Sequence, residues 1–316
     1  MKKITCIIIN TILSLYCAGQ IKSFTAATPL DKTSKTSYDS TTNFVGRDAE
    51  LLIGQELYVI PKPAELQQFG YHNFYSKYED TNNHLASIQT YESFAGKTFW
   101  VEEVLPHIGK SDYYKTKLVL KLKSQTNDTT YYYLYDWDNN KLFPFIIMGF
   151  YTKEKNNCVG KQIVLKNKNP WESVSNEQKV PIHDVLTGLP ITIDPEIVWK
   201  VKELLIDQKH GELAYMITNH QDKTFTIALN AINDYQRGQG PCALLYDEQL
   251  KEIHEHRPDF YKLIMEARIC INMTRDMVRM ACGAPEEIRN TSSGELWIYP
   301  SGKYLTFKNG ILKSFY

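Results

Sequence analysis

Apolar and polar residues alternate in short runs through the middle of the chain. Period-two patterning marks half-buried strands at 56–60, 98–104, 117–123, 130–135, 145–151 and 162–166, each bounded by polar turns. The strongly apolar 143–148 run is too short to cross a bilayer and reads as a covered strand. The runs also echo one another. Gly54-Gln55-Glu56-Leu57-Tyr58-Val59, Gly96-Lys97-Thr98-Phe99-Trp100-Val101 and Gly160-Lys161-Gln162-Ile163-Val164-Leu165 share a glycine, a polar residue and alternating apolar residues. Residues 118–137 read as a strand, a turn at Asn127-Asp128 and a strand; residues 213–232 repeat this with the turn at Gln221-Asp222, about 95 positions later. The pattern predicts two related β-rich modules, 44–150 and 151–240, each the size of a small β-barrel or sandwich.

The period changes near 247. Residues 247–257 read as a helix, and Pro258 opens a second, with Phe260, Leu263, Ile264 and Ala267 on one face. Gly238-Gln239-Gly240-Pro241 marks the loop before them. In Asn272-Met273-Thr274-Arg275-Asp276-Met277-Val278, Thr274 is placed as an N-cap, with Met273 and Val278 as a hydrophobic staple. Asp276 suits the positive end of the helix dipole; Gly283 and Pro285 stop the helix. Strands follow at 295–299, 303–307 and 311–316, joined by Pro300-Ser301-Gly302 and Asn309-Gly310. The expected fold class is mainly β with a C-terminal α+β domain, 247–316, of two helices packed on a three-stranded antiparallel sheet.

From Phe260 to Tyr316 this Met-Thr, short-helix, Gly-x-Pro, Trp/Tyr-hairpin string resembles the SmpA/OmlA family, the small lipoproteins of the outer-membrane barrel-assembly machine and their relatives. Asn272 stands where that family usually has glycine. The resemblance implies a scaffolding fold without catalytic residues, and partner contact through the hairpins at Trp297, Tyr299 and Tyr304. The middle modules are only loosely SH3-like, on length alone.

Charge and the N-terminus set the expected compartment. Formal net charge is zero over 316 residues, so nothing favours nucleic acid. Lys2 and Lys3 followed by apolar 4–16 read as a signal peptide, residues 1–19, with cleavage after Gly19 or, alternatively, after Ala27. Its removal takes two lysines and no acid, leaving net −2. Residues 20–43 read as a flexible tether. Cys17 offers a lipid anchor as the alternative to a soluble chain, although Tyr16 is large for that position. Cys158, Cys242, Cys270 and Cys282 remain, either as buried thiols or in one of three pairings.

Candidates for chemistry are few. The sequence holds no nucleophile elbow and no phosphate loop. His254 and His256 are two apart, which points them to different sides of a helix; a solvated face is expected there, with no metal. Cys282, at a helix C-terminus, is poorly placed to be a thiolate. Tyr131, Tyr133 and Tyr135 share one strand face and offer either an aromatic binding platform or packing between sheets. No cofactor is expected. The sequence reads as an exported, non-enzymatic binding or scaffolding protein of the periplasm or outer membrane of a Gram-negative bacterium. Its expected partner is an envelope protein or surface polymer. The alternatives are a hydrolase of envelope polymers and an inhibitor of an exported enzyme.

Overall fold

The computed structural model describes residues 42–316 apart from 89, 110–111, 167–183, 186, 190, 192, 208–211, 233–241, 293 and 301. The segments read as a signal peptide, 1–19, and as a tether, 20–43, lie outside the described residues except for Thr42 and Asn43, and Asn43 is held by hydrogen bonds rather than free as a tether would be. The protein is β-rich, with three antiparallel sheets and a few helices.

The first sheet contains β1 (Glu56–Val59), β2 (Phe74–Tyr75), β3 (Thr98–Pro106), β4 (Lys117–Ser124), β5 (Thr130–Asp136) and β6 (Phe145–Ile147), in the order β2-β5-β4-β3-β1-β6. Two one-turn helices, α1 (Ala64–Gln67) and α2 (Tyr91–Phe94), lie in the long connection between β1 and β3. The apolar run read as one strand divides: β6 ends at Ile147 and α3 (Met148–Cys158) begins. Phe150 and Tyr151 are buried on α3, so a short apolar run did not distinguish strand from buried helix. The outer edge of β6 is closed by a side chain. Asn43 Nδ2 donates to Phe145 O at 2.7 Å, and Ile147 N donates to Asn43 Oδ1 at 2.8 Å. One amide thus satisfies the backbone as a neighbouring strand would.

The second sheet contains β7 (Gln162–Leu165), β8 (Val198–Asp207), β9 (Glu212–Thr218), β10 (Thr224–Ala228) and β11 (Ala243–Leu245), in the order β10-β9-β8-β7-β11. With β2 set aside, both sheets place their successive strands in the order fourth, third, second, first, fifth. The match extends to single residues. The second strand of each carries a bulge, between Val101 and Glu103 in β3 and between Val201 and Glu203 in β8. Gly54 N donates to Val101 O and Gly160 N to Val201 O, both at 2.8 Å. Both glycines have positive φ, 76° and 88°, a conformation that costs an L-residue strain. Asp128 and Asp222, in the hairpin turns, also have positive φ, 54° and 58°. The repeats read from Gly54 and Gly160, and from the two hairpins, thus fall on equivalent positions; Gly96 falls on a different strand. Short helical turns at Asn140–Leu142 and Leu229–Ala231 precede the fifth strands. The two sheets share one core with α3, to which Tyr151 is tied through its hydroxyl on Leu204 O at 3.3 Å.

The C-terminal part has helices at all three places read as helical, α4 (Glu248–His256), α5 (Pro258–Met265) and α6 (Arg275–Cys282), one more than the expected two-helix domain. It also has one more strand than expected, in a four-stranded sheet of β12 (Glu287–Thr291), β13 (Gly294–Ile298), β14 (Tyr304–Lys308) and β15 (Ile311–Phe315). All five residues of β12 are exposed, so it has no apolar periodicity to announce it. Thr274 Oγ1 accepts from Met277 N at 3.2 Å, and Met273 and Val278 are both fully buried. Gly283 ends the helix at φ 81°. Asn272 has φ 74°, so the turn before Met273 needs a residue that tolerates the left-handed region, and asparagine meets that need. Asn309 and Gly310, at φ 52° and 77°, form the tight hairpin turn. The core of this part is shared: Val164 of β7 and Leu244 of β11 join Ile264, Met277, Trp297 and Phe307.

Candidate functional site

The C-terminal sheet has two unlike faces. Across the strands, Ile288 pairs with Trp297 and Trp297 with Leu305; this face turns to the helices. Trp297 is 0 % and Tyr299 2 % exposed. Trp297 Nε1 donates to Glu295 Oε2 at 3.2 Å, and the Arg279 guanidinium lies 4.9 Å from its ring centroid. Tyr299 donates its hydroxyl to Gly283 O at 3.0 Å, and burial pushes its pKa up. These two aromatics are core residues and hydrogen-bond anchors, which corrects their expected place on a partner-contacting surface. Both have the parity of the buried face, and the bulk of an indole is best placed there.

Tyr304 lies on the opposite face. It pairs with Ile298, and one step along Thr306 pairs with Leu296. Tyr304 and Tyr316 stack with ring centroids 5.5 Å apart and 19° between planes. Leu296, Ile298 and Tyr304 are half-buried and Tyr316 is exposed. Glu287 and Arg289, joined by two hydrogen bonds of 2.7 Å, border this row on β12. The open face is therefore aromatic and aliphatic at its centre and charged at its rim, the anatomy of a contact surface.

Tyr131, Tyr133 and Tyr135 do share a face, and it is the packed one. Tyr133 is 1 % exposed, with its ring 5.0 Å from both Phe74 and Phe145. Tyr135, also 1 % exposed, donates to Gly46 O at 2.9 Å. Tyr131 is half-buried against Phe94 and Phe99. Packing occupies all three rings, so of the two readings the sequence left open the packed one applies and the binding platform is corrected.

Three arrangements escaped the sequence reading. The first is an aromatic and imidazole cluster on the other side of the first sheet. His107 stacks on Tyr114 at 3.9 Å, His84 stacks on the same ring at 6.4 Å, and Tyr113 meets His84 and Tyr114 edge-on. Gly109 N donates to His107 Nδ1 at 2.9 Å, which leaves Nε2–H to donate to Thr81 O at 3.3 Å. Burial lowers the His107 pKa, and Lys117 and His84 lower it further. A Cβ on Gly109 would lie 2.5 Å from the Tyr114 ring, so only glycine allows this approach. Below, Tyr75 is fully buried, with no partner for its hydroxyl among the described residues. The residues come from 75–84 and 107–114, which no motif links.

The second is the surrounding of His254, expected to be a solvated helix face. It is instead 26 % exposed and stacks on Tyr261 at 3.9 Å. Its Nδ1 lies 2.8 Å from Tyr246 Oη and its Nε2 3.1 Å from Glu196 Oε2. Tyr261 in turn donates to Pro195 O at 2.7 Å. A cleft of about 480 Å³ adjoins, lined also by Asp259, Lys262 and Glu266. An imidazole between a hydroxyl and a carboxylate can hold a proton in place; among the described residues no serine, threonine or cysteine lines this cleft. The same contacts tie α4 and α5 to the residues before β8.

The third is Lys166, 2 % exposed at the end of β7. Its ammonium donates to Met280 O and Ala281 O, both at 2.7 Å, at the negative end of α6. Burial lowers its pKa to about 8, with Cys282 and Cys242 acting in the opposite sense. The Cys282 thiol is pushed up to about 11 by burial. Cys158, Cys242, Cys270 and Cys282 are thiols rather than disulfides. Among the described residues no three His, Cys, Asp or Glu side chains converge as a metal site.

Comparison with protein-family models, with curated proteins and with solved structures finds no match for this chain.

Proposed function

We propose that this is an exported, non-enzymatic binding or scaffolding protein of the bacterial envelope, which holds its partner on the open face of the C-terminal sheet. One observation carries the reading. Tyr304 and Tyr316 stack beside Leu296 and Ile298 on a face that, among the described residues, stays half-buried to exposed, while Trp297 and Tyr299 close the core behind it. Aromatic anchors ringed by charge supply most of the contact energy in protein interfaces. The Thr274 cap, the Gly283 stop and the Asn309-Gly310 hairpin support the SmpA/OmlA resemblance. The strand order of the two middle sheets, with a helical turn before the fifth strand, supports the SH3-like reading of the modules.

The test is capture from envelope extract on the immobilised mature chain, compared with Tyr304→Arg and Ile298→Arg. Each arginine sits on the open face and leaves the core intact. The expected result is loss of the captured partner with an unchanged melting temperature. Undiminished capture by both variants overturns the assignment of this face.

A further inference from the structure

We propose that a second copy of this chain pairs edge to edge with β12, antiparallel and centred on Ile288, so that two four-stranded sheets join into one of eight. The strand is the outermost of its sheet, and all five of its residues are exposed. Such an edge presents backbone donors and acceptors to any strand beside it, and two-fold symmetry makes a matching edge self-complementary.

The side chains select the register. In a two-fold antiparallel pair, facing residues have numbers with a constant sum, and continuing the faces of the sheet requires that sum to be even. Centred on Ile288, Glu287 faces Arg289 of the second copy twice over, and Glu286 faces Asn290. One step to either side, Glu287 faces Glu287 or Arg289 faces Arg289. Only the central register sets opposite charges across the seam, and like charges directly opposite oppose the neighbouring ones. Ile288, 45 % exposed beside the buried Trp297, then meets its own copy on the helix-facing side. The Glu287–Arg289 pair, which within one chain is half-exposed, with side chains 49 % and 58 % accessible, becomes part of a four-charge row.

The join also extends the open face. Leu296 and Ile298 lie next to β12 on β13, so the two Tyr304–Tyr316 patches come to lie on one continuous surface. A five-residue edge is smaller than the roughly 800 Å² per partner of a stable interface, so the dimer forms at micromolar concentrations and above.

Sedimentation velocity on the full mature chain over about 1–500 μM tests this, with circular dichroism confirming that each variant is folded. The wild type is expected to pass from monomer to dimer. Glu287→Arg and Arg289→Glu each place like charges across the seam and raise the dissociation constant at least tenfold. The double exchange E287R/R289E restores opposite charges and returns it to the wild-type value. A wild type that stays monomeric overturns the proposal, as do single variants that dimerise normally or a double exchange that fails to rescue. Failure here is distinct from failure of the partner-binding reading, because Tyr304→Arg leaves β12 unaltered.

Discussion

The two β-sheets that share the central core follow one plan and meet different neighbours at one end of it. In the first, the end of β1 is met by the chain's own long connection: Tyr71 stacks on Tyr91 at 5.8 Å and donates its hydroxyl to Ile60 O at 2.7 Å. In the second, the corresponding surface at Val164 and Leu244 is met by the helices of the C-terminal part. The equivalence is set by hydrogen bonds. Ile60 N donates to Pro144 O and Lys166 N to Cys242 O, both at 2.9 Å, each just before the fifth strand. Position 60 is an isoleucine and position 166 a lysine. A buried lysine is expensive in isolation, and here the carbonyls at the end of α6 receive it. The comparison teaches that a repeated scaffold can gain a neighbour by changing one residue on a face already apolar.

The largest effect tests whether the two cores are equivalent. Phe99 and Trp199 occupy matching places, opposite Leu57 and Ile163. Each is buried, and each mutation to alanine is expected to cost about 3–5 kcal/mol in chemical denaturation. Among the described residues Trp199 Nε1 has no hydrogen-bond partner, so Trp199→Phe, which installs the residue of the other repeat, should cost far less. Unequal alanine penalties would break the equivalence.

Next comes the residue that differs. Ile60→Lys places an ammonium where no helix terminus receives it, and a loss of about 3–5 kcal/mol is expected. For Lys166 the signature is pH. Its folded pKa of about 8 lies below the ordinary 10.5, so between these values the unfolded chain binds the extra proton. The Lys166 contribution to stability therefore rises with pH across that window, by about 3 kcal/mol in all, and its penalty is fully present below pH 8. Measured between pH 7 and 10.5, wild type should gain on Lys166→Met in chemical denaturation as the pH rises, a difference that cancels the thiol titrations common to both. A difference independent of pH would assign the slope to another group.

The smallest effect is at the glycines. Gly54→Ala and Gly160→Ala each force an L-residue to positive φ, and each should cost about 1–2 kcal/mol. Around Gly160 a Cβ meets nothing within 4 Å, so its penalty is backbone strain alone. Equal losses would sharpen the comparison down to single dihedrals.

Much of this plan was legible. The strands at 117–123, 130–135 and 162–166, the paired hairpins and the glycine signature are local, and period-two alternation reports them directly. The cap at Thr274 and the stop at Gly283 are local too. What escaped is non-local or featureless. Alternation says which residues share a face but not which face is covered, so Trp297 and Tyr304, on the same pair of strands, looked alike. The charged β12 has no apolar rhythm, although its pairing with β13 is regular. Lys166 is visible only when the two glycine segments are laid side by side and isoleucine is found to have become lysine. His254 and Glu196 are 58 residues apart, and no spacing rule joins them.

The bulge in each second strand has a consequence for how the chain can change length. Before it, Val101 and Val201 face the core; after it, Leu204 and Ile206 do so because one extra residue, Lys202, has shifted the phase, as Glu102 has in the other copy. Deleting either residue would turn the far half of its strand over, taking Val104 in one sheet, and Leu204 and Ile206 in the other, away from the shared core and bringing Glu103 or Glu203 towards it. These two strands cannot shift by a single residue without exchanging their faces, so the irregularity fixes the length of each strand in both sheets.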